Sequence, residues 1–304
     1  MDLKDHQGLS DDEAFIERGI YPPGTELTVD TQAVVVQKLL AQGGKAHVYT
    51  VEVPALNQVA VLKRTAAADL AELQILNQEV NILRTLPSHS NTIGFLAAAS
   101  APLPDSPGFE LLILLEYCSA GNLVELLNRR MHKRLEESEI LRIFSHICQA
   151  VAHLHYQDPP IIHRDLKPEN ILISSNHTRF VLCDFGSCTR ERIRGGTQLT
   201  RKQVGDLEED VQLNTTLEYR APELIDLYLK YGLTEKIDIW ALGVLFYKLC
   251  YLVTPFEETG ELAILNGRYQ FPDSPVYSED TCSLIRWMLQ EDPRDRPDIF
   301  QLTE

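Results

Sequence analysis

Positive charge is scarce in this sequence. Its 28 lysines and arginines face 44 aspartates and glutamates, for a net charge of −16. Nucleic acid and anionic membrane both call for a positive footprint, so neither is an expected partner. Paired cysteines are missing too. Cys118, Cys148, Cys183, Cys188, Cys250 and Cys282 form no C-x-x-C and mostly sit in or beside apolar runs, which fits reduced thiols in a cytosolic protein. The longest apolar run, Ile237 to Val253, is broken by Asp238 and Lys248, so it reads as a buried helix and no transmembrane segment is expected. The N-terminus, Met1-Asp2-Leu3-Lys4-Asp5, is no signal peptide, and Asp2 stands where myristoylation needs glycine. There is no internal repeat and no long low-complexity tract. What remains is an ordinary chain of 304 residues, 44% hydrophobic and 24% charged, long enough for one large domain or two lobes around a sizeable core.

The chemistry concentrates in Ile161-Ile162-His163-Arg164-Asp165-Leu166-Lys167-Pro168-Glu169-Asn170 and in the later Asp184-Phe185-Gly186. An apolar pair leads into a short loop crowded with polar groups. Asp165, Asn170 and Asp184 can surround one reacting phosphate: Asp165 accepts a hydroxyl proton, while Asn170 and Asp184 offer hard oxygen ligands to Mg²⁺. H-R-D-L-K-x-x-N followed by D-F-G is a specific signal, and it resembles the catalytic core of a eukaryotic protein kinase. The blander reading, a satisfied polar turn, is set aside because further parts of that pattern occur in order around it.

The resemblance implies an α+β, bilobal protein kinase fold, with a small β-rich N-lobe carrying one main helix and a larger helical C-lobe. The expected organisation is a leader over 1–30, an N-lobe over 31–115, a hinge over 116–122 and a C-lobe over 123–304. Val34 to Leu40 and Val48 to Val51 read as strands joined by a small-residue tip, Ala41-Gln42-Gly43-Gly44-Lys45-Ala46-His47-Val48, whose backbone can lie over phosphates. Only the middle glycine of the kinase G-x-G-x-x-G survives, and Lys45 is expected to point to water. Ala60-Val61-Leu62-Lys63 stands where kinases have V-A-I-K, so Lys63 would hold the α- and β-phosphates and Val61 would lie against adenine. Leu73, Leu76, Val80 and Leu83 make one helical face over 69–86, flanked by Glu72 and Glu79; Glu79 is the expected partner of Lys63 and Glu72 the alternative. A strand over 92–99, a loop over 100–108 and a strand over 111–115 follow. Leu115 then stands at the hinge entrance, with backbone groups of Glu116 and Cys118 facing adenine.

An amphipathic helix over 137–157 carries His146, His153 and His155, which lack ligand-spaced partners and read as structural or solvated. Lys167, two residues beyond the catalytic Asp, implies serine/threonine specificity and meets the transferred phosphate. Residues 184–223 resemble an activation segment in which Thr216 bridges Asp165 and Lys167. Glu223 is expected to pair with Arg296, and Asp238 to tie down the catalytic-loop backbone. Asp206, Glu208, Glu209 and Asp210 either pair with Arg164, giving activity without loop phosphorylation, or form a solvated face.

The motifs Leu182-Cys183-Asp184-Phe185-Gly186-Ser187 and Asn214-Thr215-Thr216 through Glu223 are similar to those of the Numb-associated kinase family. Tyr21-Pro22-Pro23-Gly24-Thr25, 134–141 and 260–270 resemble its fungal actin-regulating members. That likeness implies ATP and Mg²⁺ as cofactors and catalytic roles for Lys63, Glu79, Asp165, Lys167 and Asn170. It places Ala41, Gly43, Gly44, Ala46, Val48, Val61, Leu115, Glu116 and Cys118 around the nucleotide. It further implies protein substrates with threonine followed by glycine on endocytic coat and adaptor proteins, a monomeric kinase domain, and a cytoplasmic location with recruitment to cortical actin sites. Pro168 and Lys45 depart from the family. A pseudokinase scaffold that binds nucleotide and partners is the rival reading.

Overall fold

The structure is a computed structural model that describes residues 20–44, 46–103, 107–257 and 260–304. The expected leader before residue 20, and Lys45, lie outside the described residues. The chain forms two compact units. Among the described residues, one takes 20–84 and again Gly94 to Tyr117; the other takes Thr85–Ile93 and Cys118–Glu304.

The first unit is built on a six-stranded antiparallel sheet. Its strands are β1 (Glu26–Val29), β2 (Gln32–Gln42), β3 (Ala46–Val53), β4 (Gln58–Ala67), β5 (Phe95–Pro102) and β6 (Phe109–Glu116), in the order β1-β2-β3-β4-β6-β5. Side chains alternate across a strand, so Ala60 and Leu62 of β4 enter the core with Val34, Val36, Tyr49, Val51, Leu112 and Leu114. Val61 and Lys63 therefore belong to the opposite face. The unit starts earlier than the expected 31: Ile20 is buried in this core and β1 pairs with β2 through Leu27↔Val34 and Val29↔Gln32. Tyr21 pins the same segment, its hydroxyl donating to Glu110 (2.7 Å) while the Arg64 guanidinium also reaches Glu110 (2.7 Å) and lies over the Tyr21 ring.

A helix, α1 (Leu70–Thr85), follows β4, with Leu73, Val80 and Leu83 buried on one side as the 3-4 spacing predicts. The strand expected over 92–99 begins instead at Phe95. Residues 85–93 cluster with the second unit, because their backbone is committed to β8: Ile93 N–H donates to Leu182 C=O (2.9 Å) and Leu182 N–H to Asn91 C=O (2.8 Å).

The second unit is helical apart from the short pair β7 (Ile171–Ile173) and β8 (Phe180–Leu182). In chain order its helices are α2 (Leu123–Arg129), α3 (Glu137–His155), α4 (Arg201–Asn214), α5 (Pro222–Ile225), α6 (Lys236–Tyr251), α7 (Glu261–Leu265), α8 (Glu279–Met288) and α9 (Ile299–Thr303). Helix α3 opens with a capping box, the Glu139 carboxylate accepting from the Glu136 N–H, and buries Ile140, Ile143, Ile147, Val151 and Leu154. Helix α6 is buried nearly all round, the expected state of a helix without a polar face. Its Gly243 leaves room for Leu289, whose Cδ2 would lie 2.8 Å from an added Cβ. Among the described residues no helix is long and apolar enough to cross a membrane.

Candidate active site

In the first unit, register does the positioning. Ala41 pairs with Val48, Val48 with Lys63, and Val61 with Leu115. Paired residues of antiparallel strands share a face, so Ala41, Ala46, Val48, Val61, Lys63 and Leu115 form one surface opposite the core. The Lys63 ammonium lies 2.9 Å from both oxygens of the buried Glu79 carboxylate. Glu72 is differently engaged: it accepts from the Ala68 N–H (2.6 Å), at the start of α1. At the β2–β3 tip, the Gly43 N–H donates to Ala46 C=O (2.7 Å), and a Cβ on Gly44 would meet no other atom within 4 Å. Gly44 thus has no packing duty of its own and leaves its backbone approachable. The Glu116 N–H is committed to Gly94 C=O (2.8 Å), so an adenine contact by Glu116 would fall to its carbonyl.

In the second unit, the loop over 163–170 converges with Thr216. Thr216 Oγ1 donates to Asp165 Oδ1 (2.6 Å) and accepts from Lys167 Nζ (2.8 Å), and Lys167 Nζ lies 2.7 Å from Asp165 Oδ2. Asn170 Nδ2 donates to the Asp165 carbonyl (2.8 Å) and to Oδ2 (3.2 Å), which turns its amide oxygen away. The Cys183 N–H donates to Asn170 C=O (2.9 Å), so Asp184 follows directly on a residue bonded to Asn170. Asp184 is exposed, with a left-handed backbone (φ 62°). Two oxygen-bearing side chains are few for a metal held by protein alone, and among the described residues no group of three His, Cys, Asp or Glu could hold one. They suit Mg²⁺, which keeps waters and binds through one or two carboxylates plus substrate phosphates.

The loop backbone is held from below. Asp238, fully buried near the start of α6, accepts from the N–H groups of His163 (2.8 Å) and Arg164 (2.9 Å) and from His155 Nε2 (2.9 Å). Burial pushes the Asp238 carboxyl up, but the His155 hydrogen bond and charge, with His163 behind them, hold it below the usual carboxylate range. His163 is itself fully buried; desolvation lowers its pKa against the pull of Asp238, Asp184 and Asp165. His155 thus has a structural task, as the absence of ligand-spaced partners suggested. Farther out, Arg296 places all five guanidinium donors: two on Glu223 (2.7 and 2.8 Å) and three on the carbonyls of Gln290, Lys236 and Glu291.

One feature escaped the sequence reading. Helix α4 lies inside the 184–223 segment, opened by a Thr200–Gln203 capping box that was visible as T-x-x-Q. Its Asp210 makes an ion pair with Arg164 Nη1, while Arg164 Nε donates to Ser187 C=O (2.6 Å). Each reading of the acidic run holds for part of it: Asp210 pairs with Arg164, while Asp206, Glu208 and Glu209 are exposed.

A lysine–glutamate pair on a sheet, a polar loop carrying Asp, Lys and Asn, a D-F-G turn and an A-P-E glutamate locked to a buried arginine define the catalytic domain of protein kinases. Residues 34–304 match the family described as protein kinase domain, and the chain belongs to it. Actin-regulating kinase 1 of Saccharomyces cerevisiae is 42% identical over 291 residues, 93% of this chain and 45% of that protein. Actin-regulating kinase PRK1 of the same yeast is 40% identical over 292 residues, covering 94% and 35%. Serine/threonine-protein kinase ppk30 of Schizosaccharomyces pombe is 40% identical over 280 residues, covering 92% and 29%. The chain therefore spans less than half the length of each of these relatives.

Proposed function

We propose that this domain transfers the γ-phosphate of Mg·ATP to threonine, and less readily serine, in proteins. The observation that carries the proposal is the closed set of contacts among Asp165, Lys167, Asn170 and Thr216. Asp165 accepts the proton of the attacking hydroxyl, which must share that carboxylate with Thr216. Lys167, already beside Asp165, meets the charge that develops on the transferring group. Lys63, held by Glu79, orients the α- and β-phosphates, and Gly43 and Gly44 admit them closely. Asn170 and Asp184 hold Mg²⁺, which neutralises phosphate charge when bound. Ala41, Ala46, Val48, Val61 and Leu115 offer the apolar face for adenine, and Glu116 and Cys118 its backbone partners.

The names of the yeast relatives support a role in actin regulation. The motif resemblance to the Numb-associated kinases carries the proposal further, to endocytic coat and adaptor proteins with threonine before glycine as substrates, met in the cytoplasm and at cortical actin sites. A scaffold without transfer has only the thinned glycine tip in its favour, while Lys63, Asp165, Asn170 and Asp184 are all present. The deciding assay follows phosphate transfer from Mg·ATP to a Leu-x-x-Gln-x-Thr-Gly peptide and its Thr→Ala partner, with Asp184→Asn enzyme as control. Transfer to threonine alone, lost in the variant, is expected. Transfer to a general protein substrate but not this peptide would remove the endocytic reading. No transfer, with ATP still raising Tm, would leave a nucleotide-binding scaffold.

A further inference from the structure

The segment over 21–25 has no part in the chemistry described above, yet it is tied to four strands of the first unit. The Gly24 N–H donates to Val36 C=O (2.7 Å) and the Val36 N–H to Thr25 C=O (2.9 Å), on β2. The Tyr21 N–H donates to the Tyr49 hydroxyl (3.2 Å), on β3. The Tyr21 side chain reaches β4 and β6 through Arg64 and Glu110. Arg64 pairs across the sheet with Leu112, and Ala66 with Glu110, so Arg64 and Glu110 are diagonal neighbours on the core face. Their side chains are only 11% and 10% exposed. A buried ion pair adds little net stability, because desolvation offsets the attraction, and its remaining polar capacity has to be met. Tyr21 meets part of it. Its hydroxyl donates to Glu110 Oε2, the oxygen that also accepts from Arg64 Nε, and its ring lies 4.7 Å from the guanidinium. Burial first, then the Glu110 hydrogen bond, raises the Tyr21 pKa, so the hydroxyl stays a donor at neutral pH.

This clasp grips the sheet at the base of the glycine tip. Register runs Gln42↔His47, His47↔Arg64 and Arg64↔Leu112, one row from Val48↔Lys63 and Lys63↔Ile113. The Gln42–His47 pair closes the β2–β3 hairpin next to Gly43. Beyond it the Gly43 N–H donates to Ala46 C=O, and a Cβ on Gly44 would have no atom within 4 Å. The β2–β3 pairing below the tip is irregular, with register shifts between Val36 and Lys38 and between Leu39 and Ala41. The pairing of β3 with β4, by contrast, is unbroken from Ala46↔Thr65 to Val53↔Gln58. The tip therefore takes its position from β3, and β3 takes its own from β4, at the row where Arg64 is clasped.

We propose that Tyr21 is a positioning residue for nucleotide binding. By closing the Arg64–Glu110 pair on the core face, it fixes the row of β3 and β4 from which Lys63 and the Gly43-Gly44 tip address the phosphates. Without the hydroxyl, Glu110 is short of a donor in a place where water replaces it poorly, and Arg64 and its row can shift. Phosphate binding then weakens, while the groups that transfer the phosphate are untouched.

This inference rests on the protein-kinase reading, and its test separates the two. Tyr21→Phe keeps the ring over Arg64 and removes only the hydroxyl; it is compared with wild type, Glu110→Ala and the double variant below the onset of melting. In Tyr21→Phe, KM for Mg·ATP should rise about fivefold, with kcat and KM for the acceptor peptide unchanged. Equilibrium binding of Mg·ATP without acceptor should weaken by the same factor, and the Gly43 amide should exchange its hydrogen faster. The Tyr21 change should add little in the Glu110→Ala background, because the hydroxyl acts through Glu110. If Glu110→Ala does not fold, Tyr21→Phe alone decides. A Tyr21→Phe protein with lower Tm but wild-type nucleotide affinity and wild-type Gly43 exchange overturns the positioning role and leaves the segment a packing element. So does an undiminished effect in the Glu110→Ala background. Nucleotide binding that weakens in Tyr21→Phe, while no protein transfers phosphate, retains the positioning role and rejects the kinase activity. Transfer by wild type with an ATP affinity indifferent to Tyr21 does the reverse.

Discussion

Asp210 should make the catalytic loop independent of loop phosphorylation, and the size of its effect can be worked from the contacts. The Arg164 guanidinium joins two parts of the 184–223 segment, Ser187 C=O and the Asp210 carboxylate. In many proteins a phosphate supplies that second anion. A charge-assisted hydrogen bond contributes about 1.5–3 kcal/mol when buried, and an exposed ion pair about 0.2–1 kcal/mol. Arg164 is 15% exposed but Asp210 is 37% exposed, so solvent screening brings the pair to about 1 kcal/mol. If the segment's ordered arrangement is the active one, Asp210→Ala lowers kcat/KM about fivefold and does not abolish it. Arg164→Ala costs more, because the Ser187 bond is lost as well. The assay is a double-mutant cycle on peptide phosphorylation with phosphatase-treated proteins, in which the coupling between the two positions should be about 1 kcal/mol. Additive effects, or a phosphatase-treated wild type that has lost nearly all activity, would refute the reasoning.

Glu79→Gln should cut kcat/KM roughly a hundredfold by releasing Lys63, while a thermal melt shifts little because Lys63 is partly exposed. Thr216→Ala should lower kcat and Thr216→Ser should restore it, since the task is a hydroxyl between Asp165 and Lys167; failure of serine to rescue would count against the bridge. Glu223→Ala strands a fully buried Arg296 and should cost about 3–5 kcal/mol, seen as a Tm drop of roughly 10 °C. Stability should also fall on mild acidification. His163 has a folded pKa below its unfolded value near 6.5, so below about pH 6.5 the unfolded chain takes up a proton that the folded chain refuses. The slope from this residue cannot exceed about 1.4 kcal/mol per pH unit, the one-proton limit, and denaturant melts that are flat from pH 7 to 5 would contradict the direction.

The residues that bear chemistry were legible because they are local. Asp165, Lys167, Asn170 and Asp184 lie within twenty positions and keep a spacing that few other sites share. The periodicity of α3 and the unbroken apolar character of α6 were equally plain. The partner of Lys63 was not. Glu72 and Glu79 are one heptad apart, so they fall on nearly the same helix face and no pattern argument separates them. The choice depends on depth: Glu79 is buried, whereas Glu72 serves the backbone at the first turn. Helix α4 was hidden for a related reason, since only Val204 and Val211 are buried along it. A helix with so little apolar surface leaves a charge run as its main signature, and the partner of that charge lies 46 residues away. The strand Glu26–Val29, within the expected leader, was not legible because Glu26-Leu27-Thr28-Val29 is too short to show alternation against a turn-rich background.

The same contrast accounts for how the catalytic loop is held. Apolar packing excludes water but does not aim a carboxylate. In this loop the aiming is done by groups with fixed hydrogen-bond directions, and each depends on another. Asp238 orients the His163 and Arg164 amides only while it stays ionised, and it stays ionised because His155 and those amides satisfy it. Its two oxygens are taken by three donors, so removing any one leaves the others with a poorly compensated buried charge. Arg164 then carries the restraint outward to Ser187 and Asp210, and Asn170 carries it to Asp165 and Cys183. A network arranged in this way loses function in steps larger than the energy of any single contact. For that reason Asp238→Asn, which keeps the shape and removes the charge, should reduce phosphate transfer more than Asp210→Ala does, although Asp238 touches no substrate.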